Sequence, residues 1–200
     1  VAAGHGKVRL LHAAGPVDEE ALGDRGDAAV SGAGGFVHSQ GGVVEGLGGQ
    51  ELVQGTFCTP GQAGAMALGV KKLINSIALD AYQPGDVYIV NDPWLLAGHL
   101  NDVCVMSPIF YRERPVAFTA CVFHHSDIGG RVASDNRQVY EEGIFIPPLK
   151  LYEAGVLNES VLEMIRWNVR TPEEVTGDIR YQVAANHVCA QKVIEMLEDE

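Results

Sequence analysis

The sequence has little positive charge and no long apolar run. Its 14 Lys and Arg residues face 26 Asp and Glu residues, which gives a formal net charge of -12. Nucleic-acid surfaces and polybasic membrane surfaces both need clustered cations, so we expect neither kind of partner. No apolar stretch approaches the ~18 residues that a membrane-spanning helix requires. These absences predict a soluble, cytoplasmic protein that binds neither nucleic acid nor membrane.

Several catalytic and redox motifs are also missing. The four cysteines stand singly, at positions 58, 104, 121 and 189, and none forms a CxxC pair. Zinc ribbons and thioredoxin-type sites need such pairs, so reduced thiols in a cytosolic core are the simpler interpretation. The sequence contains no GxxxxGK[ST], GxGxxG, GxSxG or HExxH. It therefore carries no recognisable phosphate loop, serine-hydrolase elbow or zinc-protease helix.

Glycine is distributed unevenly and divides the chain near residue 50. Residues 1–50 contain 13 of the 24 glycines. Their apolar residues follow neither the 2.0 period of a strand nor the 3.6 period of a helix. We expect this glycine-rich segment to be poorly ordered, apart from a short strand around residues 35–38. Residues 51–200 carry the clearer signals and form the second part of the chain.

The second part of the chain alternates helix and strand signals. Apolar spacing predicts helices over 59–80, 159–169 and 172–198. Thr59-Pro60 opens the first of them, and a capping box at Thr171-Pro172-Glu173-Glu174 opens the third. Apolar runs predict a strand over 87–90 and a buried β-hairpin over 103–110 and 116–123. This order predicts an α/β (mixed α+β) architecture, in which the hairpin and a mixed sheet pack with helices.

A polar cluster lies at the open end of this hairpin. A turn centred on Glu113 pairs Asp102 with His124, and directly paired residues have Cβ atoms ~4.5–5.5 Å apart. His99 stands three residues before Asp102 and can fold back over the same position. The sequence therefore predicts that His99, Asp102 and His124 converge. A register slip of one residue would send one partner to the other face of the sheet.

Two imidazoles and one carboxylate form the ligand set of a divalent metal site with open positions. Such a site is typical of catalytic rather than structural metals, and it suits Zn, Mn or Fe alike. The alternative is that the same side chains only bind each other by hydrogen bonds or cap a turn. His125 is a poorer ligand candidate than His124, because neighbouring strand residues point to opposite faces.

Two further carboxylates are candidate catalytic residues. Asp127 either orients a ligand histidine from behind or caps the turn at Gly129 and Gly130. Asp92 precedes Pro93, a position typical of turns, but it also lies in the polar cluster. The sequence leaves both alternatives open for each residue.

The polar motifs together resemble the hydantoinase B/oxoprolinase family, which includes the alpha subunits of acetone carboxylase-type enzymes. The resemblance covers about residue 52 to the C-terminus. Its motifs are Gly85-Asp86, Asn91-Asp92-Pro93-Trp94, Gly98-His99 with Asp102, His124 to Gly130, Tyr140-Glu141-Glu142-Gly143, Ile146-Pro147-Pro148 with Lys150-Leu151, Asn168-Val169-Arg170-Thr171-Pro172 with Glu174, Gly177-Asp178, and Ala184-Ala185-Asn186. Because family subunits are several hundred residues long, the resemblance implies that residues 51–200 are the N-terminal, incomplete part of a larger domain.

The resemblance also implies a function. It implies a metal held by His99, Asp102 and His124, and a hydantoinase A-type partner subunit that binds ATP. The expected activity is ATP-dependent opening of a cyclic amide by a hetero-oligomeric hydrolase. One alternative is a carboxylase alpha subunit that uses the same site on a ketone. Another is a non-catalytic assembly fragment that binds no metal.

Overall fold

The computed structural model describes residues 38–48, 50–54, 60–96, 98–131, 133 and 135–199. Seven strands lie in this part of the chain: β1 (His38–Gly46), β2 (Glu51–Gln54), β3 (Val87–Val90), β4 (Asp102–Tyr111), β5 (Arg114–His124), β6 (Leu149–Glu153) and β7 (Val156–Leu157). Its three α-helices are α1 (Pro60–Ser76), α2 (Glu159–Arg166) and α3 (Pro172–Glu198). The mixed α/β class predicted from the sequence is confirmed.

The strands form one sheet in the order β2-β1-β5-β4-β3-β6-β7. Every strand pairing among the described residues is antiparallel, which differs from the mixed sheet that we expected. The neighbours β4 and β5, and likewise β6 and β7, are joined by tight turns that reverse the chain. Parallel neighbours would instead need a long crossover connection.

The β4–β5 hairpin has the predicted pairing at its open end. Arg112 and Glu113 both adopt positive φ angles, 49° and 65°, as a two-residue turn of the type I′ class requires. A bulge between Ile109 and Phe110 then shifts the register by one residue. Beyond the bulge, Asp102 is paired with His124, which confirms the predicted register.

Helices cover both faces of the sheet. Alternate residues of the central strands point to opposite sides, so each face presents apolar side chains to a helix. On one face, α1 residues such as Met66 and Leu73 pack against Tyr88 and Met106. On the other face, α2 and α3 pack against the remaining strand residues, such as Ile89, Val103 and Val105. This double coverage explains why seven of the ten residues of β4 are buried.

The helix boundaries differ from the predicted ones at two places, and one predicted cap is not formed. Helix α1 ends at Ser76 rather than near residue 80, and a separate 3-10 turn follows at Leu79–Ala81. Helix α2 ends at Arg166. Helix α3 begins at Pro172 as predicted, but the side chain of Thr171 makes no capping hydrogen bond, so the predicted capping box is not formed. None of the described helices combines the length and apolar character needed to cross a membrane.

Strand β1 lies inside the segment for which we expected little order. It begins at His38 and pairs along much of its length with β5. Glycine removes the apolar alternation by which a strand is recognised, but the backbone of Gly42 still pairs with Cys121. The hydrogen bonds of a neighbouring strand thus specify β1, and the periodicity of its own side chains does not. Residues 1–37, including most of the predicted strand at 35–38, lie outside the described residues.

The described cysteines behave as packed thiols. Cys104, Cys121 and Cys189 are free, and the first two are buried. Burial raises the pKa of Cys121 to about 12, which keeps this thiol protonated and unreactive at neutral pH. This agrees with the interpretation of reduced core thiols. Cys58 lies outside the described residues.

Candidate metal centre

His99, Asp102 and His124 meet at one end of the hairpin, and we call these three residues the candidate metal centre. Asp102 is the first residue of β4, His124 is the last residue of β5, and His99 lies in the loop before β4. One ligand atom from each residue can be chosen so that all three lie within 4.8 Å of one another. Within the described residues, this is the one His, Cys, Asp and Glu cluster compact enough to hold a metal ion.

The carboxylate forms the floor of the centre and the imidazoles form its outer part. Nδ1 of His124 lies 2.7 Å from Oδ1 of Asp102, and Nδ1 of His99 lies 3.3 Å from Oδ2. Asp102 is fully buried, whereas the side chains of His99 and His124 are 58% and 36% exposed. The two rings stand nearly perpendicular, at 85°, with their centroids 5.8 Å apart. Solvent and small molecules can therefore reach the imidazoles but not the carboxylate.

The donor set fits a divalent ion. Ligand atoms about 2.1 Å from a tetrahedral zinc ion stand roughly 3.4 Å apart, close to the 3.3 Å between His99 and Asp102. The 2.7 Å between Nδ1 of His124 and Oδ1 of Asp102 is a hydrogen-bond distance, and an ion held by both atoms would replace that hydrogen bond. Three protein ligands leave at least one position open for water or substrate, as in catalytic sites.

Asp127 accepts four hydrogen bonds, and none of them comes from His99 or His124. Its Oδ1 accepts from the N–H of Gly129 at 2.9 Å and from Nη1 of Arg170 at 2.8 Å. Its Oδ2 accepts from the backbone N–H groups of Arg170 and Thr171. Burial alone would raise the pKa of Asp127, but these backbone hydrogen bonds and the Arg170 charge outweigh it and lower the pKa. The contacts favour the turn-capping alternative, and a catalytic role for Asp127 stays a prediction.

Asp92 also serves its own turn. Its Oδ1 accepts from the N–H of Trp94 at 2.9 Å, and its carbonyl accepts from the N–H groups of Leu95 and Leu96. This is the usual pattern of an aspartate that starts a turn. A catalytic role for Asp92 stays a prediction as well.

A cavity of about 560 Å³ begins two residues after His124. Its lining residues are Ser126, Asp127, Gly129, Gly130, Arg131, Arg170 and Thr171. Sequence reasoning did not single out Arg170, whose partner Asp127 lies 43 positions away, because no spacing rule joins residues so far apart. The sequence offered one signal for Arg170, which was its place in a motif shared with the family, two residues before α3 begins.

His125 points away from the candidate metal centre, as its place beside His124 predicts. It is fully buried, and its Nε2 lies 3.1 Å from Oε1 of Gln182 on α3. Burial lowers the pKa of His125 to about 4, so the imidazole is neutral at physiological pH. Its role is to join the end of β5 to helix α3.

Comparison with known proteins places these features in a family. The profile of the Hydantoinase B/oxoprolinase family matches residues 42–200, so the match begins within the glycine-rich segment. The chain is 36% identical over 123 residues to caprolactamase subunit beta of Pseudomonas jessenii, covering 60% of this chain and 21% of that protein. In the crystal structure of ATP-dependent caprolactamase from the same organism, a chain 26% identical superposes with a TM-score of 0.77, over 99% of this chain and 33% of that one.

A second solved structure shares the fold. Nucleotide-free acetone carboxylase superposes with a TM-score of 0.76 and 20% identity, over 98% of this chain and 25% of that one. The chain spans about a quarter of the length of two curated relatives that it matches. The described fold is accordingly part of a larger domain. Because the family profile covers most of its length, this chain belongs to the hydantoinase B/oxoprolinase family.

Proposed function

We propose that this chain is part of the metal-binding subunit of an ATP-dependent hydantoinase/oxoprolinase-type amidohydrolase. It would act in the cytoplasm on a cyclic amide that a hydantoinase A-type partner subunit activates with ATP. The observation that carries the proposal is the convergence of His99, Asp102 and His124 at an accessible end of the hairpin. A relative named as one subunit of a caprolactamase, an enzyme named as ATP-dependent, supports both the reaction class and the hetero-oligomer.

The division of labour within the candidate metal centre follows from burial. Buried Asp102 contacts both imidazoles, so it fixes their ring orientations and keeps its own charge away from bulk water. The exposed edges of His99 and His124 face the side from which a substrate can approach. A divalent ion held there supplies a Lewis acid for an amide carbonyl or for an attacking water.

Substrate has room beside these ligands. Ser126, on the wall of the 560 Å³ cavity, is two residues from His124, so their Cα atoms are at most about 7 Å apart. The cavity wall also carries the guanidinium of Arg170, which is fixed by Asp127 and by the carbonyl of Gly130. The proposal therefore assigns the cavity to the ring that is opened.

The test is an activity assay on the full-length subunit, co-expressed with a hydantoinase A-type subunit. Hydantoin, 5-oxoproline and caprolactam are each incubated with ATP, and ADP release is measured beside ring opening. The proposal predicts coupled release of both products, lost in His124→Ala and retained in His187→Ala, which removes an exposed histidine of α3. Ring opening that continues at the wild-type rate in a folded His124→Ala variant would contradict it.

The alternative reactions give different outcomes in the same assay. ATP turnover that depends on bicarbonate and a ketone would assign the chain to the carboxylases, whose fold it shares. A subunit that assembles with its partner but neither binds metal nor supports turnover would be an assembly module.

A further inference from the structure

The backbone between two residues of the candidate metal centre is held by two side chains from elsewhere in the chain. The N–H of Leu100 donates to Oε2 of Glu142 at 3.0 Å. The carbonyl of Leu100 accepts from Nδ2 of Asn91 at 2.7 Å. Leu100 itself is fully buried. The peptide groups on both sides of Leu100 therefore cannot rotate without breaking a hydrogen bond, and this fixes the path from His99 to Asp102.

Asn91 is in turn locked in place. It is fully buried, and its Nδ2 also donates to the carbonyl of Ile144 at 2.9 Å. Its Oδ1 accepts from the N–H of Ile146 at 2.6 Å, and its own N–H donates to the Ile146 carbonyl at 3.0 Å. Both amide protons of the side chain are used, so no rotation of Asn91 keeps the same contacts. The segment 142–146 thus holds the loop that carries His99, through Glu142 directly and through Asn91.

Glu142 differs from its neighbour Glu141 in what it holds. Both carboxylates accept a backbone N–H, but Glu141 binds the N–H of Arg137, in the same local turn. Glu142 reaches 42 positions back to Leu100. From the sequence we would expect Glu141 and Glu142 to be a solvated pair, whereas the structure gives them separate partners.

We propose that Glu142 and Asn91 are positioning residues of the candidate metal centre, which set its affinity for a divalent cation through Leu100. The proposal rests on the proposed metal-binding function. His99 needs this support most, because its side chain is 58% exposed and it approaches the centre from a loop. Outer partners of metal ligands change metal affinity by about 10- to 100-fold when they are replaced.

The test measures the affinity of this chain for Co²⁺ in Glu142→Ala, Glu142→Gln and the matched control Glu141→Ala. Circular dichroism confirms that each variant is folded. Glu142→Ala should weaken Co²⁺ binding by about 10- to 100-fold. Glu142→Gln keeps an oxygen that accepts the Leu100 N–H, so it should restore the wild-type affinity, and Glu141→Ala should retain it. Wild-type affinity in Glu142→Ala, or equal losses in the Ala and Gln variants, would overturn the proposal.

A second variant and a metal-free readout complete the test. Asn91→Asp keeps the shape of the side chain but sets a carboxylate against the carbonyls of Leu100 and Ile144, so it too should weaken Co²⁺ binding. In the metal-free protein, hydrogen exchange at the Leu100 amide should be faster in Glu142→Ala and should return to the wild-type rate in Glu142→Gln. Unchanged exchange would overturn the positioning role alone, whereas a wild-type chain that binds no Co²⁺ would overturn the metal-binding function itself.

Discussion

Replacing Asp127 by Asn should destabilise the fold strongly, because one carboxylate satisfies two separate segments. Its Oδ2 accepts the backbone N–H groups of Arg170 and Thr171, and its Oδ1 accepts from Gly129 and from the Arg170 guanidinium. An Asn side chain has one oxygen and one NH₂ group, so its NH₂ group would face the donors on one of these two sides. Each hydrogen bond to a charged group contributes about 1.5–3 kcal/mol. The ion pair with the 60% exposed Arg170 side chain adds at most about 1 kcal/mol, because solvent screens it. We expect a loss of about 3 kcal/mol in the free energy of unfolding.

The pH dependence of this loss has a definite sign. The pKa of Asp127 is lowered from its ordinary value of 3.8 in the folded protein. The carboxylate therefore contributes stability that is fully present above the unfolded pKa and is lost as pH falls through the folded pKa. The gap between the wild type and Asp127→Asn should be full at pH 7 and should shrink as pH falls below about 4.

Urea unfolding at pH 7 and pH 3 measures both effects. The matched control is Asp135→Asn, which removes an exposed carboxylate that is also paired with an arginine, Arg131. The control should change stability by less than about 0.5 kcal/mol, as is usual for exposed positions. If Asp127→Asn is as stable as the control at pH 7, the reasoning about this capping network is refuted.

Three other substitutions test the packing around the site by urea unfolding. Burial and Glu174 raise the pKa of Asp178 to about 6, so ionising it costs stability as pH rises from 3.8 through 6. Asp178→Asn should raise the free energy of unfolding by about 1 kcal/mol at pH 8, after allowance for solvent screening, and leave it unchanged at pH 4. A rise at pH 4 would contradict this cause. Asn186→Ala removes buried hydrogen bonds to a strand carbonyl and a threonine hydroxyl, so a loss of less than about 1 kcal/mol in the free energy of unfolding would contradict its role. Gly129→Ala should unfold the chain or remove its cooperativity, because φ is +94° and the new Cβ would lie 2.1 Å from the Asn168 carbonyl oxygen; wild-type unfolding would refute this.

The hairpin and the candidate metal centre could be predicted from the sequence because they depend on local rules. Continuous apolar runs mark the strands, and a short polar connector limits the register to a few choices. The turn itself is one residue shorter than a turn centred on Glu113, but the bulge at Ile109 and Phe110 compensates for the difference. Asp102 therefore meets His124 as predicted, although the two ends of the hairpin follow different registers.

Other parts could not be predicted, because they depend on contacts between distant segments. Nothing in the local pattern joins Asp127 to Arg170 or Glu142 to Leu100, since these pairs form only when the loops fold against each other. Strand β1 was missed for a related reason, as its glycines carry no periodicity and its partner is β5, far along the chain. The positions of these loops and of β1 thus depend on long-range hydrogen bonds that local sequence patterns do not show.

The central claim is that His99, Asp102 and His124 hold a metal. Elemental analysis of the purified wild-type chain, beside His124→Ala and the exposed-histidine control His187→Ala, tests it most directly. The wild type and the control should each carry about one divalent ion per chain, because the three ligands together form one site, and His124→Ala should carry none. A folded wild-type chain that carries no metal, even after incubation with Zn²⁺, Mn²⁺ or Fe²⁺, would contradict the account.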